Sequence, residues 1–221
     1  MKADIIEHLS KVRHGVMFII GAPSGTGKST VIKKLLEKDA NLNWSVSVTT
    51  REKRAGEVEG KDYHYVSEEQ YKKLLEEGAF YECVNSQYGH CYGTLKSEVD
   101  GFINIGQDVI FDLDVEGLRQ IREKAPQDVV SVYMLPPSIS ELRRRLEGRG
   151  TDSAEIIDRR MSLAGEQLIN WEEYDYVVVS DDPEQVTEKI SKIISAERMK
   201  RWRQTGLKEF AKQLIAEVNN G

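Results

Sequence analysis

Cysteine, proline and long apolar runs are all scarce in this sequence. It contains two cysteines and five prolines among 221 residues, so a disulfide scaffold is excluded. Such low cysteine use is typical of a reducing compartment, and we expect a cytoplasmic protein. The apolar run nearest the start, Val16 to Ile20, is too short to cross a bilayer. The residues before it mix charges of both signs and lack the apolar region of a secretory signal, so we expect no membrane partner.

An excess of basic charge is also missing. The formal net charge is -6 and the pI is near 5.4, which argues against a nucleic-acid partner but leaves room for a local basic cleft that binds a phosphorylated small molecule. Apolar residues make up 39% and charged residues 31% of the chain, as in a globular domain. No internal repeat divides the sequence. We expect a single domain over residues 1–221, and its state, monomer or homo-oligomer, stays open.

Short apolar runs alternate with helical patterns along most of the chain. The runs are nearly continuous, as expected for parallel strands buried on both faces; they are Val16–Ile20, Val109–Val115, Val129–Leu135 and Tyr176–Val179. A helical stripe follows the first run at Ser29–Lys38, and a capping box at Ser138 and Glu141 opens another helix that Gly148 can end. The alternation predicts an α/β fold with a parallel sheet.

Residues 45–97 differ from the rest of the chain in composition. The segments SVSVTT, KDYHYVS and AFYECVNSQYGHCYGT are rich in β-branched and aromatic residues, which favours strands. A capping box at Ser67 and Gln70 predicts one short helix among them, closed by Gly78. We interpret this region as a β-rich insertion between two strands of the core. The arginine-rich residues 148–168 are predicted to form a helical flap.

The decapeptide GAPSGTGKST, residues 21–30, joins an apolar strand to a helix. Gly25 and Gly27 let the backbone turn so that N–H groups point inward, and the next helix presents its N-terminus to an anion. Lys28 supplies a compact cation for phosphates, and the Ser29 hydroxyl suits Mg²⁺. The strict phosphate-loop pattern has glycine where this chain has Ala22. The alternative is a Gly/Ser turn with an incidental lysine.

A second apolar strand ends in two carboxylates, in the sequence VIFDLD. Alternation along a strand predicts that Asp112 and Asp114 lie on the same side, at the carboxyl end where α/β sheets bind ligands. In phosphate-loop proteins such an acidic residue helps to hold Mg²⁺. The alternative is that the two carboxylates merely start a turn.

Taken together, the ordered motifs resemble the guanylate kinase family. They are GAPSGTGKST, SVSVTTREKRAGEVEGKDYHYV, YGT, FDLDVEG, LPPSISELRRRLEGRGTDSAEIIDRR and YDYVVVSDD, and the resemblance covers about residues 15–195. It implies a three-layer α/β/α phosphate-loop kinase with a central parallel sheet, a β-rich GMP-binding insertion and a helical lid. The implied subregions are a core of residues 1–46, 98–138 and 169–221, a GMP-binding region of residues 47–97 and a lid of residues 139–168.

The resemblance implies an enzyme that transfers the γ-phosphate of ATP to GMP and dGMP, with Mg²⁺ accompanying ATP. Its pattern assigns the GMP phosphate to Arg51, Arg54, Tyr63 and Tyr92, and the guanine base to Ser47, Glu82, Thr94 and Asp114. It assigns catalytic roles to Lys28, Arg54, Arg145, Arg149 and Arg160, and the metal to Ser29 and Asp112. It assigns ATP to Asp181 and to the loop residues Gly21, Ala22, Pro23, Ser24, Gly25, Thr26, Gly27, Lys28, Ser29 and Thr30.

The chemistry of guanine supports these roles. Its N1 and 2-amino group are donors that a carboxylate such as Glu82 or Asp114 can accept, whereas adenine would present an unprotonated nitrogen there. Three alternatives remain open at this point. The lid arginines could pair with Glu141 and Glu147 instead of phosphate. The whole domain could be a catalytically inactive protein-interaction module of the same fold, or a phosphate-loop kinase for another small acceptor.

Overall fold

A five-stranded parallel sheet forms the centre of the protein. The computed structural model describes residues 13–85, 89–148 and 153–219. Its strands are β1 (Met17–Gly21), β2 (Leu42–Trp44), β7 (Asp108–Asp112), β8 (Val129–Leu135) and β9 (Tyr176–Val179). The strand order is β2-β7-β1-β8-β9 and every neighbouring pair is parallel. All four apolar runs of the sequence therefore form strands of one sheet, and β2 is added at its edge.

Helices cover both faces of this sheet, which confirms the predicted three-layer arrangement. Phe18 and Ile20 of β1 face α1 (Lys28–Lys38) and α7 (Pro183–Arg198) in one apolar cluster. Met17 and Ile19 face α3 (Lys96–Ile103) and α4 (Val115–Lys124) in the other. Because successive strand residues point to opposite faces, β1 must be apolar throughout. Its buried positions explain why the sequence shows a continuous run instead of an alternation.

The prediction of a strand over Val109–Val115 is wrong at its carboxyl end. The strand β7 ends at Asp112, and Asp114 is the N-cap residue of α4. The Asp114 carboxylate accepts a hydrogen bond from the backbone N–H of Gly117 at 3.0 Å. This bond satisfies a donor that the first helical turn otherwise leaves unpaired, and capping therefore prevails over the strand pattern.

A second sheet of four strands contains the β-rich insertion. Its order is β4-β3-β6-β5, with β3 and β4 parallel and the remaining pairs antiparallel. The strands are β3 (Ser47–Thr49), β4 (Tyr63–Tyr65), β5 (Phe80–Asn85) and β6 (Cys91–Leu95). The helix α2 (Glu68–Glu76) packs on this sheet through Tyr71, and both hydrogen bonds of the predicted capping box are present. The insertion therefore has its own small core.

Two helices form the region predicted as a lid, α5 (Ile139–Glu147) and α6 (Ala154–Leu168). The Ser138 hydroxyl caps α5 and Gly148 is its C-cap residue, as predicted. Glu141 does not complete the predicted capping box, because its carboxylate binds Arg144 and Arg145. A guanidinium offers a carboxylate two charged donors in place of one backbone N–H, which explains the difference.

The chain continues through two 3₁₀ turns and the last helices. The turns are Ile169–Glu173 and Arg201–Arg203, and α8 (Leu207–Asn219) follows the second one. Most of the chain from Pro183 to Asn219 is therefore helical, with a break between α7 and α8. Within the described ranges, none of the helices combines the length and the apolar composition that crossing a bilayer demands.

A buried ion network joins the amino-terminal ends of the strands, opposite the end where β1 leads into the glycine-rich loop. Asp108 is fully buried at the start of β7. It accepts both ends of the Arg13 guanidinium at 2.6 and 2.8 Å, and the Arg198 Nε at 2.6 Å. It also accepts the backbone N–H of Val16 at 2.9 Å. A buried carboxylate needs such pairing because an isolated charge there would be very costly.

Candidate active site

The glycine-rich loop connects β1 to α1 at the carboxyl end of the sheet. Gly25 and Gly27 have φ angles of 93° and 97°, a region that L side chains avoid. A Cβ on Gly25 would also lie 2.8 Å from Cδ2 of Leu146. Gly27 is the N-cap of α1 and no side chain caps this helix. The first backbone N–H groups of α1 are therefore available to an anion, as in phosphate-binding loops.

Side chains of α5 and of the β9–α7 turn form hydrogen bonds to this loop. The backbone carbonyl of Thr26 accepts the Ser180 hydroxyl at 2.8 Å and Nη1 of Arg145 at 3.1 Å. Nη2 of Arg145 reaches the backbone carbonyl of Asp181 at 3.0 Å, and its Nε reaches Glu141 at 2.8 Å. The alternative pairing of Arg145 with Glu141 is therefore present. The same guanidinium also lies against the loop.

A lysine and a carboxylate meet beside the loop, and a serine hydroxyl lies in the first turn of the helix that follows it. Lys28 forms a close ion pair with Asp112, and Asp112 lies next to Ile20 in the register of β7 and β1. Ser29 is exposed in the first turn of α1. Hydroxyl and carboxylate oxygens are ligands that Mg²⁺ prefers, and this ion commonly takes one or two protein oxygens and completes its shell with phosphates and water. The residues present therefore fit the ion.

A cavity of about 250 Å³ separates the second sheet from α4. Residues assigned to GMP line it from the four strands of the second sheet and from the α4 N-cap: they are Ser47, Tyr63, Glu82, Tyr92 and Asp114. Asp112 also lines it, so the cavity reaches the Lys28 ion pair. The other assigned residues, Arg51, Arg54 and Thr94, are not among the lining side chains. Larger cavities of about 470, 670 and 760 Å³ contain none of the assigned residues.

The Glu82 carboxyl is the most buried acidic group of this cavity, with 3% of the residue exposed. Burial raises its pKa, and the negative charge of Asp114 raises that pKa further. Its Oε1 accepts the Thr94 hydroxyl at 2.8 Å, and Lys124 contributes a compensating positive charge. The Thr94 hydroxyl is therefore directed at Glu82.

An acidic residue that the sequence analysis missed organises residues 51–57, which we call the arginine turn. Glu57 accepts Nη2 and Nη1 of Arg51 at 2.8 and 3.1 Å, the Tyr65 hydroxyl at 2.7 Å and the backbone N–H of Arg54 at 2.8 Å. The Arg51 guanidinium, followed by the other donors, lowers the pKa of Glu57 to about 2. Glu57 raises the pKa of Arg51 in turn, and the Tyr92 hydroxyl adds to that effect. The guanidinium also lies 5.3 Å from the Tyr63 ring centre. No local sequence pattern pairs Arg51 with Glu57, because the residues between them form neither a helix nor a strand.

The remaining assigned arginines differ in their placement. Arg160 lies on α6 and is half-buried. Arg149 lies outside the described residues. Arg54 is exposed at the turn that Glu57 holds. Gln120 of α4 also lines the cavity, although the sequence analysis did not single it out.

A parallel sheet, a glycine-rich loop that opens a helix and an acidic strand end together define the phosphate-loop class of nucleotide-binding α/β proteins. Comparisons with known proteins then narrow the class. The family description "Guanylate kinase" matches residues 14–197. The chain is 49% identical to a guanylate kinase from Novosphingobium aromaticivorans, over 92% of this chain and 91% of that protein. It is 44% identical to one from Zymomonas mobilis, over 92% and 94%.

A solved structure agrees with these relatives. The crystal structure of guanylate kinase from Anaplasma phagocytophilum superposes with a TM-score of 0.71 at 35% identity, and the match covers 92% of this chain and 97% of that one. The chain belongs to the guanylate kinase family.

Proposed function

We propose that this protein transfers the γ-phosphoryl group of ATP to GMP, giving ADP and GDP, a step in purine nucleotide metabolism. The observation that carries the proposal is the 250 Å³ cavity. It brings Glu82 and Asp114 together with Tyr63 and Tyr92, and it extends to Asp112 beside the loop lysine. Family membership supports the same reaction. An acceptor cavity beside a phosphate loop is the arrangement that this transfer needs.

The base would be recognised by acceptors that match its donors. Glu82 and Asp114 would accept hydrogen bonds from N1–H and the 2-amino group of guanine, and the Ser47 hydroxyl would donate to O6. Adenine would leave the buried carboxylate unpaired, which penalises the wrong base strongly. Thr94 would act on the base indirectly, since its hydroxyl orients Glu82.

The phosphate of GMP would bind to Arg51 and Arg54 and to the hydroxyls of Tyr63 and Tyr92. Arginine suits this task because its planar guanidinium binds phosphate oxygens bidentately. The edge contact between the rings of Tyr63 and Tyr92, with centres 5.9 Å apart, supports a shared anchor.

The triphosphate would lie on residues 21–30, with Lys28 moving from Asp112 to the phosphate oxygens. Mg²⁺ held by Ser29 and Asp112 would neutralise phosphate charge. Arg145, Arg149 and Arg160 would reach the transferring group from residues 139–168, and Asp181 would lie near the base of ATP. In this proposal residues 47–97 bind GMP, and residues 1–46, 98–138 and 169–221 form the core.

No general base is required in this scheme. The attacking oxygen of the GMP phosphate is already ionised at neutral pH, so these residues act by positioning the substrates and by neutralising charge. Closure of the GMP-binding region and the lid over both nucleotides would exclude water, which otherwise competes as acceptor.

The decisive experiment is an ADP-release assay that offers GMP, dGMP, AMP, UMP and CMP in parallel, with and without Mg²⁺. We expect turnover with GMP and dGMP, dependent on Mg²⁺, and none above background with the other acceptors. Turnover that favours AMP, UMP or CMP, or no turnover with any acceptor, would contradict the proposal.

A further inference from the structure

The side-chain amide of Gln120 joins the core of the protein to the strand that carries Glu82. Its Oε1 accepts the backbone N–H of Cys83 at 3.0 Å, and its Nε2 donates to the backbone carbonyl of Cys83 at 3.2 Å. Cys83 follows Glu82 directly on β5, which is an edge strand of the second sheet. One amide therefore satisfies both backbone groups of Cys83 at this edge of the sheet.

The same helix carries the other carboxylate of the cavity. Asp114 is the N-cap of α4, and Gln120 lies further along that helix. Asp114, Gln120 and Glu82 all line the cavity. The two carboxylates stand on different elements, so their separation depends on how β5 docks against α4. At the residue next to Glu82, that docking is made by the Gln120 amide.

We propose that Gln120 is a positioning residue for base selection, which sets the separation of Glu82 and Asp114 and so favours guanine over a purine without the 2-amino group. The inference rests on the proposed function. Two acceptors match the two adjacent donors of guanine only at a defined spacing, whereas hypoxanthine lacks one of those donors. A change in the spacing of the two carboxylates therefore weakens the binding of GMP more than the binding of IMP.

Loss of the amide leaves the strand in place. Nζ of Lys124 donates to the backbone carbonyls of Phe80 and Tyr81 at 3.1 and 2.8 Å, so a second side chain of α4 holds β5. Gln120→Met keeps the length and volume of the side chain and removes both hydrogen bonds. The variant thus changes the placement of Glu82 without removing any group assigned to GMP.

The test compares steady-state kinetics of the wild type and of Gln120→Met with GMP and with IMP. We expect the KM for GMP to rise about tenfold, which corresponds to about 1.4 kcal/mol of weakened hydrogen bonding to the base. We expect the ratio of kcat/KM for GMP over IMP to fall, while the KM for ATP stays unchanged. Tyr81→Phe is the matched control, because it removes a 2.6 Å bond from the same strand to Asp100 of α3 and leaves the Gln120 contacts in place; it should leave the GMP to IMP ratio unchanged.

Hydrogen exchange supplies a measurement that is independent of activity. Exchange at the Cys83 amide should accelerate in Gln120→Met and not in Tyr81→Phe. An unchanged GMP to IMP ratio, an equal fall of that ratio in Tyr81→Phe, or a Gln120→Met variant that does not fold would each overturn the inference. Failure of the wild type to phosphorylate GMP would instead overturn the proposed function, so the two failures are distinguishable.

Discussion

Replacing Glu82 with glutamine separates base recognition from stability. The residue is 3% exposed, and Gln keeps its shape and an oxygen acceptor for the Thr94 hydroxyl. Burial raises the pKa of Glu82, which means that the fold disfavours its charge. The neutral amide relieves that cost. We therefore expect the thermal midpoint of Glu82→Gln to be equal to or higher than that of the wild type.

Binding of GMP to Glu82→Gln should be weaker than to the wild type, although the thermal midpoint does not fall. A hydrogen bond to a charged group contributes about 1.5–3 kcal/mol, and the amide nitrogen of Gln presents a donor to the donors of guanine. Loss of one such bond predicts a rise in the KM for GMP of about 10- to 150-fold. The KM for ATP should not change, because Glu82 lies in the cavity on the GMP side.

The assay is ADP release at varied GMP, combined with thermal unfolding of the same samples. Glu197→Gln is the matched control: Glu197 is 1% exposed, accepts the Tyr176 hydroxyl at 2.7 Å and lies on α7, outside this cavity. The control should leave the KM for GMP unchanged. A KM for GMP that stays at the wild-type value in folded Glu82→Gln would refute the assignment of this carboxylate to the base.

Three further predictions concern the loop, the arginine turn and the buried network. Lys28→Ala should lower kcat by about 10³-fold while GMP binding, measured by titration, persists. The pKa of Glu57 is lowered to about 2, so its stabilising contact with Arg51 is fully present above the ordinary carboxyl pKa. That stabilisation is lost as the pH falls from the ordinary carboxyl pKa toward the lowered pKa of Glu57. The difference in thermal midpoint between the wild type and Glu57→Gln should therefore shrink below about pH 5. Asp108→Asn leaves the buried Arg13 charge without its partner and should cost about 3–5 kcal/mol in urea unfolding.

A control for Lys28→Ala comes from an exposed position of the same helix. Lys33→Ala on α1 changes an exposed lysine that is 3.9 Å from Glu37, and it should affect neither kcat nor stability measurably. Near-normal turnover in Lys28→Ala, a pH-independent difference for Glu57→Gln, or unfolding of Asp108→Asn at the wild-type urea concentration would each contradict the corresponding argument.

Local signals in the sequence predicted much of the fold because they depend on neighbouring residues alone. The glycine-rich loop, the apolar runs and the capping box at Ser67 and Gln70 each act over a few positions, and each is present in the structure. The error over Val109–Val115 arose where two local signals compete. An apolar run continues into Asp114, and the helix cap prevails because it satisfies a backbone donor of α4.

Local sequence patterns specified most of the helices and strands and, through their ordered motifs, the family. Only the tertiary structure brought Ser47, Glu82 and Asp114 to one cavity, directed the Thr94 hydroxyl at Glu82 and joined Gln120 to the strand beside it. These contacts link residues far apart in the chain, and they follow from the docking of the second sheet against α4. A buried carboxylate must find its partners wherever packing places them, and no local pattern specifies which side chains those are.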